Sequence, residues 1–401
     1  MTESGTSSGP RIAHLRLNEV RGSPQLKEPF WEDRLLMPND IYPEHFAQRT
    51  EADAAFWMST AIWVELETAD GAVGRAGPID RSQAFIIDQE LRPFVEGADA
   101  MAHELLWDRL YRAQIHGRKG HAMMAISAID CAMWDLKGRL LGMPVHQILG
   151  GPTRPSVPAY ASALGFSVAP DRAAAQAREF VAQGYGAMKW FYVNGPAQGR
   201  AGMQRNEDLV AAVRAAVGPD VEIMTDAWSS WDVPYTLEMA RRLVPYRPRW
   251  IEEPVLADRI DSYAAIRRQS PVPIAGGEHE YTRFGVHALL GAGGVDVLQT
   301  DILWAGGITE MLKICAIASA YDVPVIPHGS STQANMHLIA SQPEPLMPLC
   351  EYLVKWNEVL QYFLADQLMP TNGRIAVPTT PGLGMDLDES KIEGRRELRW
   401  S

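Results

Sequence analysis

Glu222-Ile-Met-Thr-Asp226, Trp250-Ile-Glu252-Glu253-Pro254 and Ile274-Ala-Gly-Gly-Glu278 decide the fold. Each is a short run of strand-forming residues that ends on a carboxylate, and the stretches between them carry the apolar spacing of amphipathic helices. The same unit extends in both directions. Val157–Ala161, Ala187–Tyr192, Glu222–Asp226, Trp250–Glu253, Ile274–Gly277, Val297–Thr300, Val325–Pro327 and Leu349–Leu353 are candidate strands alternating with helical patterns, which is the grammar of a parallel (β/α) TIM-type barrel. Asp226, Glu252, Glu278, Asp301, His328 and Glu351 follow one another at intervals of 26, 26, 23, 27 and 23 residues. That interval is one βα unit, so each falls at the carboxyl end of its strand, the face on which the sites of such barrels form.

Upstream the grammar differs. From Arg11 to Ala76 the runs are short and β-like, and Ile62-Trp-Val-Glu-Leu-Glu-Thr68 places Ile62, Val64 and Leu66 on one face before the turn Asp70-Gly71, predicting a strand pair. The polar, proline-containing stretch from Gly22 to Ala52 is long for a structureless connection and is a candidate binding loop or lid. Residues Ala122 to Lys137 are apolar on nearly all faces, which predicts a buried helix, ended by Gly142-Met-Pro-Val145. The expected organisation is a disordered tail over 1–10, an α+β domain over 11–150, the barrel over 151–370, and an irregular segment over 371–401 returning to the first domain.

Composition narrows the partners. With 37 basic against 49 acidic residues in 401, the net charge is −12, which repels phosphate backbones and anionic lipid and argues against nucleic acid or membrane as the main partner. Apolar residues make up 46%, enough for a sizeable core. No apolar run approaches the roughly 18 residues of a membrane span, and the start, Met1-Thr-Glu-Ser-Gly, has neither a basic nor an apolar leader region. A cytoplasmic location is the expectation. Cys131, Cys315 and Cys350 are odd in number, far apart and set among apolar neighbours, as reduced core thiols would be.

Taken singly, each rim carboxylate would be read as a salt bridge or a helix cap. Asp226, Glu252 and Glu278 on consecutive strand ends would converge where they cannot all stay ionised without a counter-charge. A hard divalent cation answers that, and an all-oxygen set without cysteine favours Mg²⁺ over zinc or copper. Asp301 and His328 are one unit apart. An aspartate accepting from one ring nitrogen of a histidine fixes its tautomer and raises its basicity, which makes His328 a candidate general base. Glu351 on the last strand end is a candidate to donate a proton or hydrogen bond to a developing oxyanion. Lys189, ending the second strand, is either a surface lysine or an ammonium neutralising charge beside the metal.

These motifs, with Trp304-Ala-Gly-Gly307, Pro327-His328-Gly-Ser-Ser331 and the helix Ile126–Asp135, resemble the enolase superfamily in its mandelate racemase subgroup. Asn194-Gly195-Pro196 and Asp226-Ala-Trp228 are most similar to the acid-sugar dehydratases of the L-rhamnonate type. The resemblance implies an enolase-like fold, a modified barrel under an α+β capping domain, with Mg²⁺ held by Asp226, Glu252 and Glu278 and an Asp301–His328 base dyad. It implies removal of a proton α to a carboxylate, an anionic sugar-acid substrate and a homo-oligomer.

Racemases of this pattern carry Lys-x-Lys at the second strand end, where the second lysine serves the opposite face of the substrate. Here that residue is Phe191. A 1,1-proton transfer needs a base on each side, whereas β-elimination runs with one histidine, so dehydration of an aldonate to a 2-keto-3-deoxy acid is expected before epimerisation or a non-catalytic binding role. For the substrate, the resemblance points to the stretch from Pro29 to Arg49, with Trp31 and Arg49 as candidate contacts beside Trp228 and His279. Phe30 and Val193 stand where the rhamnonate enzymes have polar residues, histidine in the first case.

Overall fold

The computed structural model describes residues 9–26, 29–42 and 59–400. Two sheets organise it. Strands β1 (Ile12–Arg21), β2 (Thr60–Thr68) and β3 (Val73–Ile79) form an antiparallel sheet. It has four strands rather than the expected pair, because the chain returns at β12 (Gly394–Glu397) to pair with β1 in the order β12-β1-β2-β3. The segment expected to be irregular thus completes the first sheet. β12 escapes sequence patterning because Gly-Arg-Arg-Glu has no apolar alternation; backbone pairing and the Arg396–Glu19 ion pair at 2.6 Å hold it.

The helix His121–Leu141 packs on this sheet, buried on most of its length as its composition demands, and Gly142 ends it in the left-handed region at φ 64°. Helix and sheet approach so closely that a Cβ on Gly74 would lie 2.3 Å from the Ala132 carbonyl oxygen. All three cysteines are buried and free. Among the described residues no helix is long and apolar enough to cross a membrane.

The parallel sheet runs through β4 (Ser156–Ser162), β5 (Ala187–Phe191), β6 (Glu222–Asp226), β7 (Trp250–Glu252), β8 (Ile274–Gly276), β9 (Val297–Leu298) and β10 (Cys350–Leu353), in the order β10-β4-β5-β6-β7-β8-β9. β11 (Arg374–Ala376) adds to β4 antiparallel. Val325–Pro327, the expected seventh of eight barrel strands, contributes only a bridge from Val325 to Leu298. Pro324 and Pro327 supply no N–H to a ladder, which is why the run stops there.

The interior shows why the site forms where it does. Tyr160, Ala187, Met224, Trp250, Ala275, Val297, Ile326 and Leu349 form one apolar cluster, with one residue from each of the eight positions around the barrel. Side chains two residues apart share a strand face. Two residues beyond this layer stand Ser162, Lys189, Asp226, Glu252, Gly277, Gln299, His328 and Glu351. The polar layer is therefore stacked on the apolar one.

A second histidine pair lies away from that layer. His146 and His337 stack at 5.4 Å; the His146 backbone N–H donates to His337 Nδ1 at 3.1 Å, and His146 Nε2 meets the Pro378 carbonyl at 2.9 Å. Burial, with His146 adding to it, pushes the His337 pKa down to about 3. The unfolded chain then binds more protons than the folded one between about pH 6.5 and 3, so stability is full above that window and falls as pH drops through it. Replacing His337 by Gln should flatten this acid limb, by up to roughly 1.4 kcal/mol per pH unit, as read from urea midpoints measured at several pH values.

Candidate active site

Asp226, Glu252 and Glu278 each offer an oxygen, and the three oxygens lie within 4.8 Å of one another in a buried cluster. Burial pushes the Asp226 pKa up to about 6 against the pull of Lys189, and burial pushes Glu278 up to about 7 against the pull of His328. The arrangement is electrostatically unfinished. Asp226 Oδ2 is buried with the Lys189 ammonium beside it at 3.1 Å, one cation among three convergent carboxylates, and every donor atom is a hard oxygen, so the set fits Mg²⁺ on its own chemistry. A second convergent set, Glu253, Glu278 and His279, is less open to a metal because Glu253 Oε2 already meets His279 Nδ1 at 2.7 Å and accepts from Ser229 Oγ at 3.1 Å.

The ligand positions are held from behind. Glu252 Oε2 accepts from Trp250 Nε1 at 2.9 Å and from Gln299 Nε2 at 2.6 Å. Asp226 Oδ1 accepts the Trp228 N–H at 2.8 Å, and Trp228 Nε1 donates to Glu278 at 3.2 Å. The turns after these strand ends put Trp228, Ser229 and Glu253 at φ 42°, 58° and 39°, a left-handed conformation that side-chain-bearing residues adopt at a cost and that gathers at functional sites. On β8 the inward position is Gly277 at φ 107°, and the next residue, Glu278, supplies the carboxylate.

Lys189 is fully enclosed rather than at the surface. Its ammonium forms ion pairs with Glu252, with Glu351 at 2.9 Å and with Asp226 at 3.1 Å, and it lies 5.1 Å from the centre of the Phe191 ring. Burial opposes its charge, but Glu252, Glu351 and Asp226 outweigh burial and hold its pKa well above the usual lysine value. Glu351 accepts the Gly329 N–H at 2.9 Å as well as facing Lys189, and against burial Lys189 and His328 hold its pKa below the ordinary range. The carboxylate is thereby tied to the turn that carries His328.

His328 Nδ1 meets Asp301 Oδ2 at 2.6 Å. The other oxygen of Asp301 accepts from Ser330 Oγ at 2.8 Å and the Leu303 N–H at 2.7 Å, so the aspartate is fixed on both sides. The free ring nitrogen, Nε2, points at the carboxylate cluster, 3.9 Å from Glu278 Oε2. Burial lowers the imidazole's basicity, and Glu278 and Asp301 more than reverse this, lifting its pKa to about 10. Trp304 packs on this ring at 4.8 Å and on His279 at 5.5 Å. Burial likewise opposes charge on His279, which Glu253 overcomes, raising its pKa to about 9.

The capping domain reaches the same loop. Gly306 N–H donates to Ser127 Oγ at 2.8 Å, Thr309 N–H to Asp130 at 2.9 Å, and Trp107 Nε1 to the Gly306 carbonyl at 2.8 Å. The stretch carrying Asp301 and Trp304 is thereby tied to the first domain.

The structure brings together Asp226, Glu252, Glu278, Lys189, Glu351, Asp301, His328, His279 and Trp228. Trp31 contacts a different group of side chains, edge-to-face with Phe30 at 6.0 Å and with Trp356 at 5.8 Å. Arg49 lies outside the described residues. Sequence patterning missed Glu253, the partner of His279, and Gln299, the partner of Glu252. Gln299 was detectable as the inward residue between Val297 and Asp301; Glu253 had only its place beside Glu252 as a signal.

This arrangement belongs to a known class. Residues 172–391 match the enolase C-terminal domain-like family and residues 38–150 the N-terminal domain of the mandelate racemase / muconate lactonizing enzyme family. The chain belongs to that family of the enolase superfamily, as its motifs had suggested. It is similar to L-rhamnonate dehydratase of Saccharopolyspora erythraea, with 35% identity over 380 residues covering 93% of this chain and 94% of that one. The crystal structure of rhamnonate dehydratase from Gibberella zeae complexed with Mg matches with a TM-score of 0.83 at 30% identity, over 96% of this chain and 97% of that one. The 3,6-anhydro-D-galactonate cycloisomerase from Zobellia galactanivorans matches with a TM-score of 0.77 at 29% identity, over 96% and 100%.

Proposed function

We propose that the protein is a Mg²⁺-dependent hydro-lyase that removes water from a sugar acid, L-rhamnonate or a related aldonate, to give a 2-keto-3-deoxy acid. One observation carries the reading: the His328–Asp301 dyad, closed at 2.6 Å, faces three convergent carboxylates, while the position of a second base on strand β5 is filled by Phe191.

Asp226, Glu252 and Glu278 would hold the metal. When bound, Mg²⁺ supplies positive charge at the substrate carboxylate, which makes the neighbouring C–H more acidic. With the charge of Glu278, the main cause of the raised His328 pKa, offset by the metal it would hold, Nε2 would be neutral and able to take the α-proton, and Asp301 stabilises the imidazolium that results. The electron pair of the broken C–H bond forms the new C–C double bond as the β-hydroxyl departs, and His328 returns its proton to that hydroxyl, releasing water. The enol product ketonises to the 2-keto acid. Lys189 adds fixed positive charge beside the ligand carboxylates, where negative charge grows on the substrate.

A panel of mono- and diacid sugars, assayed for 2-keto acid formation with and without EDTA, tests this. Formation from at least one aldonate, abolished by EDTA and restored by Mg²⁺, is the expected outcome. Metal-independent activity would overturn it. So would substrate recovered from D₂O with deuterium at an inverted α-carbon, the mark of an epimerase.

A further inference from the structure

Lys355 lies four residues beyond Glu351 and has no part in the chemistry above. Its ammonium is buried, within 3.2 Å of the Pro29 carbonyl, 3.1 Å of the Phe30 carbonyl, 3.0 Å of the Gly165 carbonyl and 2.8 Å of Glu32 Oε1. It also lies 4.4 Å from the centre of the Phe166 ring. Three N–H bonds are thus shared among four oxygens from two separate segments, so the ammonium is fully satisfied away from water.

Both segments border the active site. Gly165 and Phe166 follow β4 at the rim, where the Ala163 N–H donates to the Lys189 carbonyl at 2.9 Å. Residues 29–33 belong to the connection between β1 and β2 in the capping domain. The Glu32 N–H donates to the Gly165 carbonyl at 2.9 Å, and Asp33 Oδ2 accepts from Ser167 Oγ at 2.9 Å and the Val168 N–H at 2.6 Å. Phe30 packs edge-to-face on Trp356 at 5.3 Å. Further along, buried Leu36 reaches Gly195, where an added Cβ would meet it at 3.3 Å. The segment therefore runs across the carboxyl ends of β10, β4 and β5, the strands that supply Glu351 and Lys189.

We propose that Lys355 is a positioning residue that clamps the capping-domain segment 29–36 onto this edge of the active site and so selects which sugar acids fit; the selection rests on the dehydratase reading, the clamp does not. Lys355 to Met keeps the aliphatic stem and removes every bond the ammonium makes. The carbonyls of Pro29 and Phe30 then lose a charged partner and regain hydrogen bonds only by moving out to water, while the Gly165 carbonyl keeps the Glu32 N–H alone.

The test compares Mg²⁺-loaded full-length protein with the Lys355→Met and Glu32→Gln variants, the second removing only the carboxylate acceptor should the first fail to fold. Amide exchange over 29–36 should quicken about tenfold or more in Lys355→Met, on the scale of one lost charged hydrogen bond, and less in Glu32→Gln. KM for L-rhamnonate, or for the panel acid turned over fastest, should rise about tenfold with kcat within about threefold, and discrimination among the panel acids should narrow. A merely structural loss would lower kcat for all acids alike and leave their ratios unchanged. Unchanged exchange, or unchanged ratios in an active variant, overturns the proposal, whereas a wild-type protein inactive on every sugar acid counts against the dehydratase reading and leaves the exchange result to judge the clamp.

Discussion

His328→Asn should lower kcat by about four orders of magnitude, the upper end of what positioned acid–base groups contribute. The loss is that large because one nitrogen performs two transfers. In the proposed elimination Nε2 takes the α-proton and then protonates the leaving hydroxyl, and Phe191 leaves no lysine opposite to substitute for it. Asparagine fills a similar space and still offers Asp301 an N–H, so the Leu303 and Ser330 bonds that fix the aspartate persist. Mg²⁺ affinity should stay within a few-fold of wild type by calorimetric titration, while 2-keto acid formation disappears. A residual kcat within tenfold of wild type would mean that another group moves the proton.

Asp226→Asn separates the metal from the fold. Mg²⁺ binding should weaken at least a hundredfold, as for loss of a charged ligand in a three-carboxylate set, and activity should fall with it. Stability should move the other way. Asp226, Glu252 and Glu278 are buried together, and Lys189 keeps its pairs with Glu252 and Glu351 when Asp226 is neutralised. Metal-free Asp226→Asn should therefore melt at or above the temperature of metal-free wild type, consistent with a site whose charges are arranged for a cation rather than for stability. Adding Mg²⁺ at about a hundred times Kd should stabilise wild type by about 2.7 kcal/mol and leave the variant unmoved. A variant that melts well below metal-free wild type would show that Asp226 contributes to the fold through Lys189.

The rim was legible because it is periodic twice over. Asp226, Glu252, His328 and Glu351 each lie two residues beyond an apolar one, and each barrel segment lies one βα unit beyond the last, so these four mark themselves on the chain without alignment, and Glu278 and Asp301 by the unit interval alone. What stayed hidden lacks a repeat. Gln299 contacts a residue 47 positions away, and Lys355 is recognised by carbonyl oxygens, which every residue possesses and no sequence distinguishes. Lys189 could be located but not characterised: its place on β5 follows from spacing, whereas its burial among three carboxylates follows from how β5, β6, β7 and β10 curve together. The seventh barrel position failed as a strand for a local reason, the prolines on either side of Val325-Ile326.

The return of β12 to β1 has a consequence for synthesis. Asn18, Glu19, Val20 and Arg21 pair with β2 on one side, and on the other their partners lie in Gly394–Glu397. While the chain is being made, the first sheet therefore waits with β1 as an open edge until nearly the whole protein has left the ribosome, and an unpaired edge is the place where another chain can add. Glu19 is buried there and meets Arg81 at 2.8 Å, before Arg396 arrives as a further partner. A charge turned inward on a waiting edge discourages a second nascent chain from taking the place of β12, so Glu19, which later pairs with Arg396, guards the edge during the interval.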